Sequence, residues 1–87
     1  MDYTIDMKEM VKREEFHDAV ERILPVPGYY GRNLDALFDF LTEKRDELHI
    51  NLVNCRRFRE NNWEYFNLIE TVLKDSKVSY DIDYEED

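Results

Sequence analysis

Apolar and polar residues alternate in three short segments, and each segment predicts a strand. Alternation over Asp2–Met7 indicates a strand near the start of the chain. The run HINLV at His49–Val53 predicts a more buried strand. Alternation over Val78–Tyr84 predicts a third strand with one solvent-facing side.

Between the first two strands, apolar residues recur at helical spacing. An amphipathic helix is predicted over Arg13–Leu24, with Pro25 and Pro27 ending it. A second helix is predicted to begin after Asn33, a natural N-cap, and to run to about Glu43. Its expected apolar stripe consists of Leu34, Leu37, Phe38 and Leu41.

Two more helices are expected between the second and third strands. Arg56–Glu60 predicts a turn of helix, and Asn62 is expected to cap a longer helix. The predicted core stripe of that helix consists of Trp63, Phe66, Ile69, Val72 and Leu73. Because helical crossovers join strands in parallel, the order predicts an α/β fold, a three-stranded parallel sheet packed against helices. At this length we expect one domain over residues 1–87.

Both prolines and both glycines of the chain fall between the first two helices. Proline restricts the backbone and glycine frees it, so together they predict a shaped loop. The loop contains Tyr29 and Tyr30, which we expect to be exposed. This segment is the candidate for presenting a functional surface.

Asp35 and Asp39 follow that loop on the second helix, four residues apart. At about 100° per residue they lie about 110–150° from the centre of the apolar stripe and point outward. Like charges at this spacing destabilise a helix by only about 0.2–0.5 kcal/mol. The simplest explanation of the two aspartates is therefore that they belong to a solvated polar face of the helix. Tyrosines beside these carboxylates are also typical of a protein-binding hot spot.

The net charge is −9, from 21 acidic and 12 basic residues. This balance argues against nucleic acid or an anionic membrane as a direct partner and favours a cationic protein. On charge alone, ordinary solubility is the better explanation. Cys55 is the single cysteine and is expected to be a small core hydrophobe in a reducing compartment. The sequence shows neither a membrane-length apolar run nor a signal-peptide h-region, so we expect a cytoplasmic protein.

Catalysis and metal binding find little support in the sequence. Glycosidase carboxylates face each other across a cleft, whereas Asp35 and Asp39 share one convex helix face. His17 and His49 are isolated, without metal-ligand spacing, and are expected at the surface or half-buried. The GYYG segment is too short for a phosphate loop and follows a helix. We therefore predict no catalytic residue, no metal and no cofactor.

Two charged clusters have ordinary explanations. The arginines of the segment Arg56–Arg59 are expected to balance local acidic charge rather than to bind RNA. The terminal residues Glu85, Glu86 and Asp87 are expected to form a solvated, frayed end.

The segment LPVPGYYGRNLDALFDFLT resembles the signature of the barstar family, intracellular inhibitors of the ribonuclease barnase. The matching positions are Pro27, Tyr29, Tyr30, Gly31, Asn33, Leu34, Asp35, Ala36, Leu37, Phe38, Asp39, Leu41 and Thr42. The element order extends the resemblance over the whole chain and implies a two-layer barstar-like fold.

The resemblance implies a cytoplasmic inhibitor, monomeric when free, that binds one basic extracellular-type ribonuclease. Its acidic loop and helix would plug the nuclease active site. Asp39 would occupy the substrate-phosphate pocket, Asp35 would pair with a second basic region, and Tyr29 would supply a packed aromatic contact. Further contacts are implied for Tyr30, Asn33, Phe38, Thr42 and, on the long helix, Asp75. The alternative is a barstar-fold interaction module, an immunity or regulatory protein, with a different basic partner.

Several positions depart from the family pattern. Phe38 replaces a common tryptophan, and Phe40 stands at a frequent cysteine position. Arg32 replaces an acidic residue and is expected to oppose a basic partner locally. Glu43 and Lys44 replace a glycine–tryptophan pair. These changes concern the identity of the target more than the mode of inhibition.

Overall fold

The computed structural model describes residues 1–84, which form a three-stranded sheet and four helices. The elements in chain order are β1 (Asp2–Asp6), α1 (Arg13–Ile23), α2 (Leu34–Lys44), β2 (His49–Val53), α3 (Arg56–Asn61), α4 (Trp63–Ser76) and β3 (Ser79–Ile82). None of these helices is long and apolar enough to cross a bilayer. The expected solvated end, residues 85–87, lies outside the described part of the chain.

The strands lie in the order β1-β2-β3, and both pairings are parallel, which confirms the predicted α/β fold. In the register, Ile5 of β1 pairs with Leu52 of β2, which pairs with Ile82 of β3. Because side chains alternate along a strand, these residues share one face of the sheet. Ile5 and Leu52 are buried there with residues from α1, α2 and α4.

The opposite face of the sheet is polar. His49 of β2 pairs in register with Ser79 of β3, and its Nδ1 lies 2.6 Å from the Ser79 hydroxyl oxygen. The Nε2 atom of His49 lies 3.0 Å from a carboxylate oxygen of Asp81. His49 is half-buried, as expected. Polar residues therefore line this face, and the apolar core lies between the sheet and the helices.

The buried face of helix α2 differs from the prediction at one aromatic position. The Asn33 side chain accepts a hydrogen bond from the Ala36 backbone N–H at 2.8 Å, which confirms the predicted N-cap. The buried residues of the helix are Leu37, Phe40 and Leu41. Phe38 is 36% exposed, so its expected place in the apolar stripe is wrong.

Two expectations for helix α4 also fail. Trp63 is the first residue of the helix and is 60% exposed, so it is not a core residue. Asn62 precedes the helix, but its side chain makes no capping hydrogen bond. It donates instead to the Val11 carbonyl at 2.8 Å, which ties this junction to the segment before α1. The predicted core positions Phe66 and Ile69 are buried.

The single thiol lies in the core, as predicted. Cys55 is buried, and its sulfur lies 3.7 Å from the Met7 sulfur. Burial, with a smaller contribution from Asp83, raises the pKa of the Cys55 thiol to about 12. A thiol that remains protonated is a poor nucleophile, so Cys55 acts as a packing residue.

Candidate protein-binding site

The loop between α1 and α2 obtains its shape from an unexpected residue. Neither of its glycines has a positive φ, whereas Arg32 has a φ of 55°. A Cβ atom on Gly31 would approach the Asn33 Nδ2 atom to 3.2 Å and the Ala36 Cβ atom to 3.4 Å. Gly31 therefore provides space beside the helix cap, and the left-handed conformation belongs to Arg32.

The two tyrosines of the loop occupy opposite environments. Tyr29 is 88% exposed, whereas Tyr30 is only 7% exposed. The expectation that both are exposed is therefore wrong for Tyr30, which packs into the core. The Tyr30 hydroxyl lies 2.7 Å from Nδ1 of His17 on α1. The loop thus presents one tyrosine and is anchored by the other.

His17 is 3% exposed, so its expected place at the surface or half-buried is wrong. Its Nε2 atom lies 2.6 Å from the hydroxyl of Tyr65 on α4. Burial, followed by the nearby Arg32, lowers the pKa of His17, while neighbouring carboxylates partly offset this. A neutral ring has one donor and one acceptor nitrogen, which suits one tyrosine on each side. His17 therefore links α1, the loop and α4.

Arg32 folds back onto α1. Its Nη2 atom lies 2.5 Å from a carboxylate oxygen of Asp18, and its Nη1 atom forms an ion pair with Glu21. These hydrogen bonds and charges raise the pKa of Arg32. Two carboxylates carry more charge than the single guanidinium, so they offset the repulsion that Arg32 was expected to exert on a basic partner.

The carboxylates of Asp35 and Asp39 are exposed on α2, as predicted. Neither forms an ion pair with any residue in the range 1–84. Asp39 borders a groove of about 240 Å³ between α2 and the loop, which Tyr29 and Glu43 also line. The structure therefore brings the exposed tyrosine and the second aspartate together at one groove.

Asp35 borders a second hollow, a cleft of about 400 Å³ among α1, α2 and α4. Asn33 and Tyr65 also line this cleft. The guanidinium of Arg13 lies 4.7 Å from the centre of the Tyr65 ring, a cation–π distance. The two aspartates thus border two neighbouring hollows rather than one pocket.

The other predicted contact residues on α2 and α4 line neither hollow. Phe38 is partly exposed on α2. Thr42 is half-buried, and its hydroxyl oxygen is buried without a hydrogen-bond partner among residues 1–84. Asp75 is exposed in the last turn of α4, a helix that packs against α2, but it borders neither hollow.

Two features of the site were not found from the sequence. His17 is spaced three residues before the buried Val20, and this helical spacing was a signal of burial. Glu43 lies four residues after Asp39, which places it on the same face of α2.

Over residues 1–84, no three His, Cys, Asp or Glu side chains are grouped so as to hold a metal ion.

The chain is similar to a described protein family and to a named bacterial protein. The family model described as Barstar (barnase inhibitor) matches residues 1–86. A protein of Bacillus subtilis (strain 168), named "Putative ribonuclease inhibitor YrdF", is 50% identical over 38 residues. This alignment covers 44% of the chain and 42% of that relative, so the chain matches less than half the length of the relative.

Proposed function

This chain belongs to the barstar family, and on that basis we propose that it inhibits a basic, barnase-like ribonuclease by covering the active site. The observation that carries the proposal is the groove where the exposed Tyr29 meets the carboxylate of Asp39. An exposed aromatic ring beside an unneutralised acid is suited to a basic protein surface.

The charges of α2 support an external partner. Asp35 and Asp39 repel each other across one helical turn, and no cation in the described part of the chain pairs with either. Cationic groups of a nuclease active site would relieve this repulsion and replace it with attraction. The net charge of −9 would also accelerate the encounter with a basic protein.

We assign the contact residues by their exposure. Asp39 is proposed to take the place of a substrate phosphate, Asp35 to meet a second basic region, and Tyr29 to pack on the nuclease. Asn33, Phe38 and Thr42 border this surface, and Asp75 would extend it from α4. Tyr30, which is buried, is proposed to support the loop rather than to contact the partner.

The proposed mechanism is occlusion without a chemical step. The inhibitor would bind one nuclease molecule, and RNA would lose access because acidic side chains occupy its phosphate positions. We further propose one domain over residues 1–87 that is monomeric when free, needs no cofactor and acts in the cytoplasm before the nuclease is exported.

Titration of barnase with the purified chain tests the proposal. Cleavage of a fluorogenic RNA substrate should fall linearly with added chain and reach zero at a one-to-one ratio. If the chain instead inactivated the nuclease catalytically, less than one molecule of the chain per nuclease molecule would be enough to abolish cleavage. Full cleavage in the presence of excess chain would contradict inhibition of this nuclease.

A second candidate is an interaction module for another basic protein. It follows from the departure from the family pattern at Glu43, which lies in the same groove as Asp39 and is compatible with either kind of basic target. Affinity capture with the chain, followed by a ribonuclease assay of the recovered basic protein, separates the two candidates. Recovery of a basic protein that lacks ribonuclease activity would favour the second.

A further inference from the structure

Three carboxylates form a row along α2. Asp35, Asp39 and Glu43 follow one another at intervals of four residues, and all three are exposed. Residues at this interval lie on one helix face, and eight residues of α-helix span about 12 Å. The row therefore extends the two-aspartate surface by one more helical turn.

The third carboxylate is poorly placed for the chain itself. Glu43 lies in the last turn of α2, where the partial negative charge of the helix end disfavours an anion. It also repels Asp39 one turn earlier. The adjacent Lys44 pairs with Glu47 at 3.9 Å, and no ion pair of Glu43 is found over residues 1–84. Two local preferences are thus violated without a compensating contact within the described chain.

The groove next to Glu43 has the chemistry to receive a cationic side chain. Asp39 and Glu43 line it from the helix, Tyr29 and Pro27 line it from the loop, and Phe40 contributes apolar surface. Lysine and arginine pack an aliphatic stem against apolar surface and keep a charged head near carboxylates or an aromatic face. The groove combines these three kinds of contact.

We propose that Glu43 is a partner-binding residue, and that this groove receives a lysine or arginine side chain of the nuclease between Tyr29 and Glu43. The inference rests on the proposed function and extends it. The bound nuclease then presents a line of cationic groups that matches three carboxylates rather than two. Glu43 therefore selects among basic nucleases.

Binding to barnase tests the role of Glu43. Glu43→Gln should weaken binding about threefold, and the charge reversal Glu43→Lys should weaken it about tenfold or more. The matched controls are Glu60→Gln and Glu60→Lys, which make the same charge changes at an exposed position on α3. They should stay within about twofold of the unmodified chain. The difference in barnase affinity between the Glu43 variants and the Glu60 variants should decrease as the salt concentration is raised, because salt screens exposed charges.

A measurement on the free chain distinguishes binding from a structural role. Glu43→Gln should leave the urea midpoint of unfolding unchanged or raise it, because it removes a repulsion and an unfavourable helix-end charge. A lowered midpoint together with weaker binding would mean that Glu43 acts through the fold, and the inference would be wrong.

The remaining outcomes separate this inference from the proposed function. If the unmodified chain binds barnase, Asp39→Ala disrupts binding, and Glu43→Lys behaves like Glu60→Lys, only the role of Glu43 is contradicted. If the unmodified chain does not bind barnase at any salt concentration, both the inhibitor function toward this nuclease and the inference are overturned.

Discussion

The Nδ1 atom of His17 lies 2.7 Å from the hydroxyl oxygen of Tyr30, and this contact joins the core of α1 to the loop before α2. Tyr29, the preceding residue, is almost fully exposed. The neighbouring residues Tyr29 and Tyr30 therefore have different roles. One holds the loop in position, and the other is available to a partner.

Removal of the two hydroxyl groups should show this separation. Tyr30→Phe should lower the free energy of unfolding by about 1–2 kcal/mol, because it leaves a ring nitrogen of the buried His17 without its partner. Tyr29→Phe should change it by less than about 0.5 kcal/mol, since the exposed hydroxyl is hydrated in both states. Urea unfolding of both variants provides the measurement. Equal effects would contradict the anchoring role of Tyr30.

Stability should also depend on the protonation of His17. Burial and Arg32 lower the pKa of His17 below its ordinary value of 6.5, so the unfolded chain binds its proton first. The stability contributed by neutral His17 is complete above about pH 6.5 and is lost as the pH falls toward the folded-state pKa. One proton gives a slope of at most about 1.4 kcal/mol per pH unit.

His17→Gln provides the control for this pH dependence. Urea unfolding between about pH 5 and pH 8 should give a smaller decrease in stability for the variant than for the unmodified chain. Asp6 and Glu15 also have lowered pKa values, but their contributions are lost at lower pH, as it falls below their ordinary values of 3.8 and 4.5. Parallel curves for the two proteins above pH 5 would refute the role of His17.

The fold could be predicted from the sequence because the spacing of its apolar residues is clear, whereas the residues at the edges of each buried helix face could not. In α2, Leu37 and Leu41 are compatible with a stripe that contains either Phe38 or Phe40. Both alternatives have helical spacing, and the sequence does not show that the tertiary structure buries Phe40 and leaves Phe38 partly exposed. Periodicity therefore located the helix and misassigned one of its aromatic residues.

The candidate site was predictable to a similar extent. Asp35 and Asp39 could be placed outward from helical geometry alone, since the Asn33 cap defines where the helix begins. The anchoring of the loop could not be predicted, because His17 contacts residues 13 and 48 positions away in the sequence. Such contacts depend on the tertiary fold, and no local pattern encodes them.

The exposure of Trp63 gives a direct test of the observed core. Phe66→Ala should destabilise the chain by about 3–5 kcal/mol, because Phe66 is fully buried against Phe58. Trp63→Ala should cost less than about 1 kcal/mol, although tryptophan is the larger residue. Thermal or urea unfolding measures both values. A large loss of stability for Trp63→Ala would instead support the prediction that Trp63 is a core residue.

The backbone at Arg32 yields a prediction that is independent of its charge. Arg32→Gly and Arg32→Ala both remove the ion pairs with Asp18 and Glu21, so that loss cancels in their comparison. A φ of 55° is easily adopted by glycine and is unfavourable for alanine. Arg32→Gly should therefore be about 1 kcal/mol more stable than Arg32→Ala in urea unfolding. The reverse order would contradict a left-handed residue at this position.

The proposed interface should depend most on Asp39. Truncating one partner of a buried, hydrogen-bonded charge pair costs about 2–5 kcal/mol or more in protein complexes. We expect a loss in this range for Asp39→Ala on barnase binding, seen mainly as faster dissociation in surface plasmon resonance. Glu60→Ala removes an exposed carboxylate from α3 and should change binding by less than about 0.5 kcal/mol.

The contrast between these two variants also identifies the surface that binds. Asp39→Ala and Glu60→Ala each remove one negative charge from a chain of net charge −9. Charge near the interface steers the encounter more strongly than distant charge, so Asp39→Ala should slow association more than Glu60→Ala at low salt, and only the loss of a direct contact should raise the dissociation rate. If both variants dissociate from barnase at the rate of the unmodified chain, the groove between Tyr29 and Asp39 is not the interface.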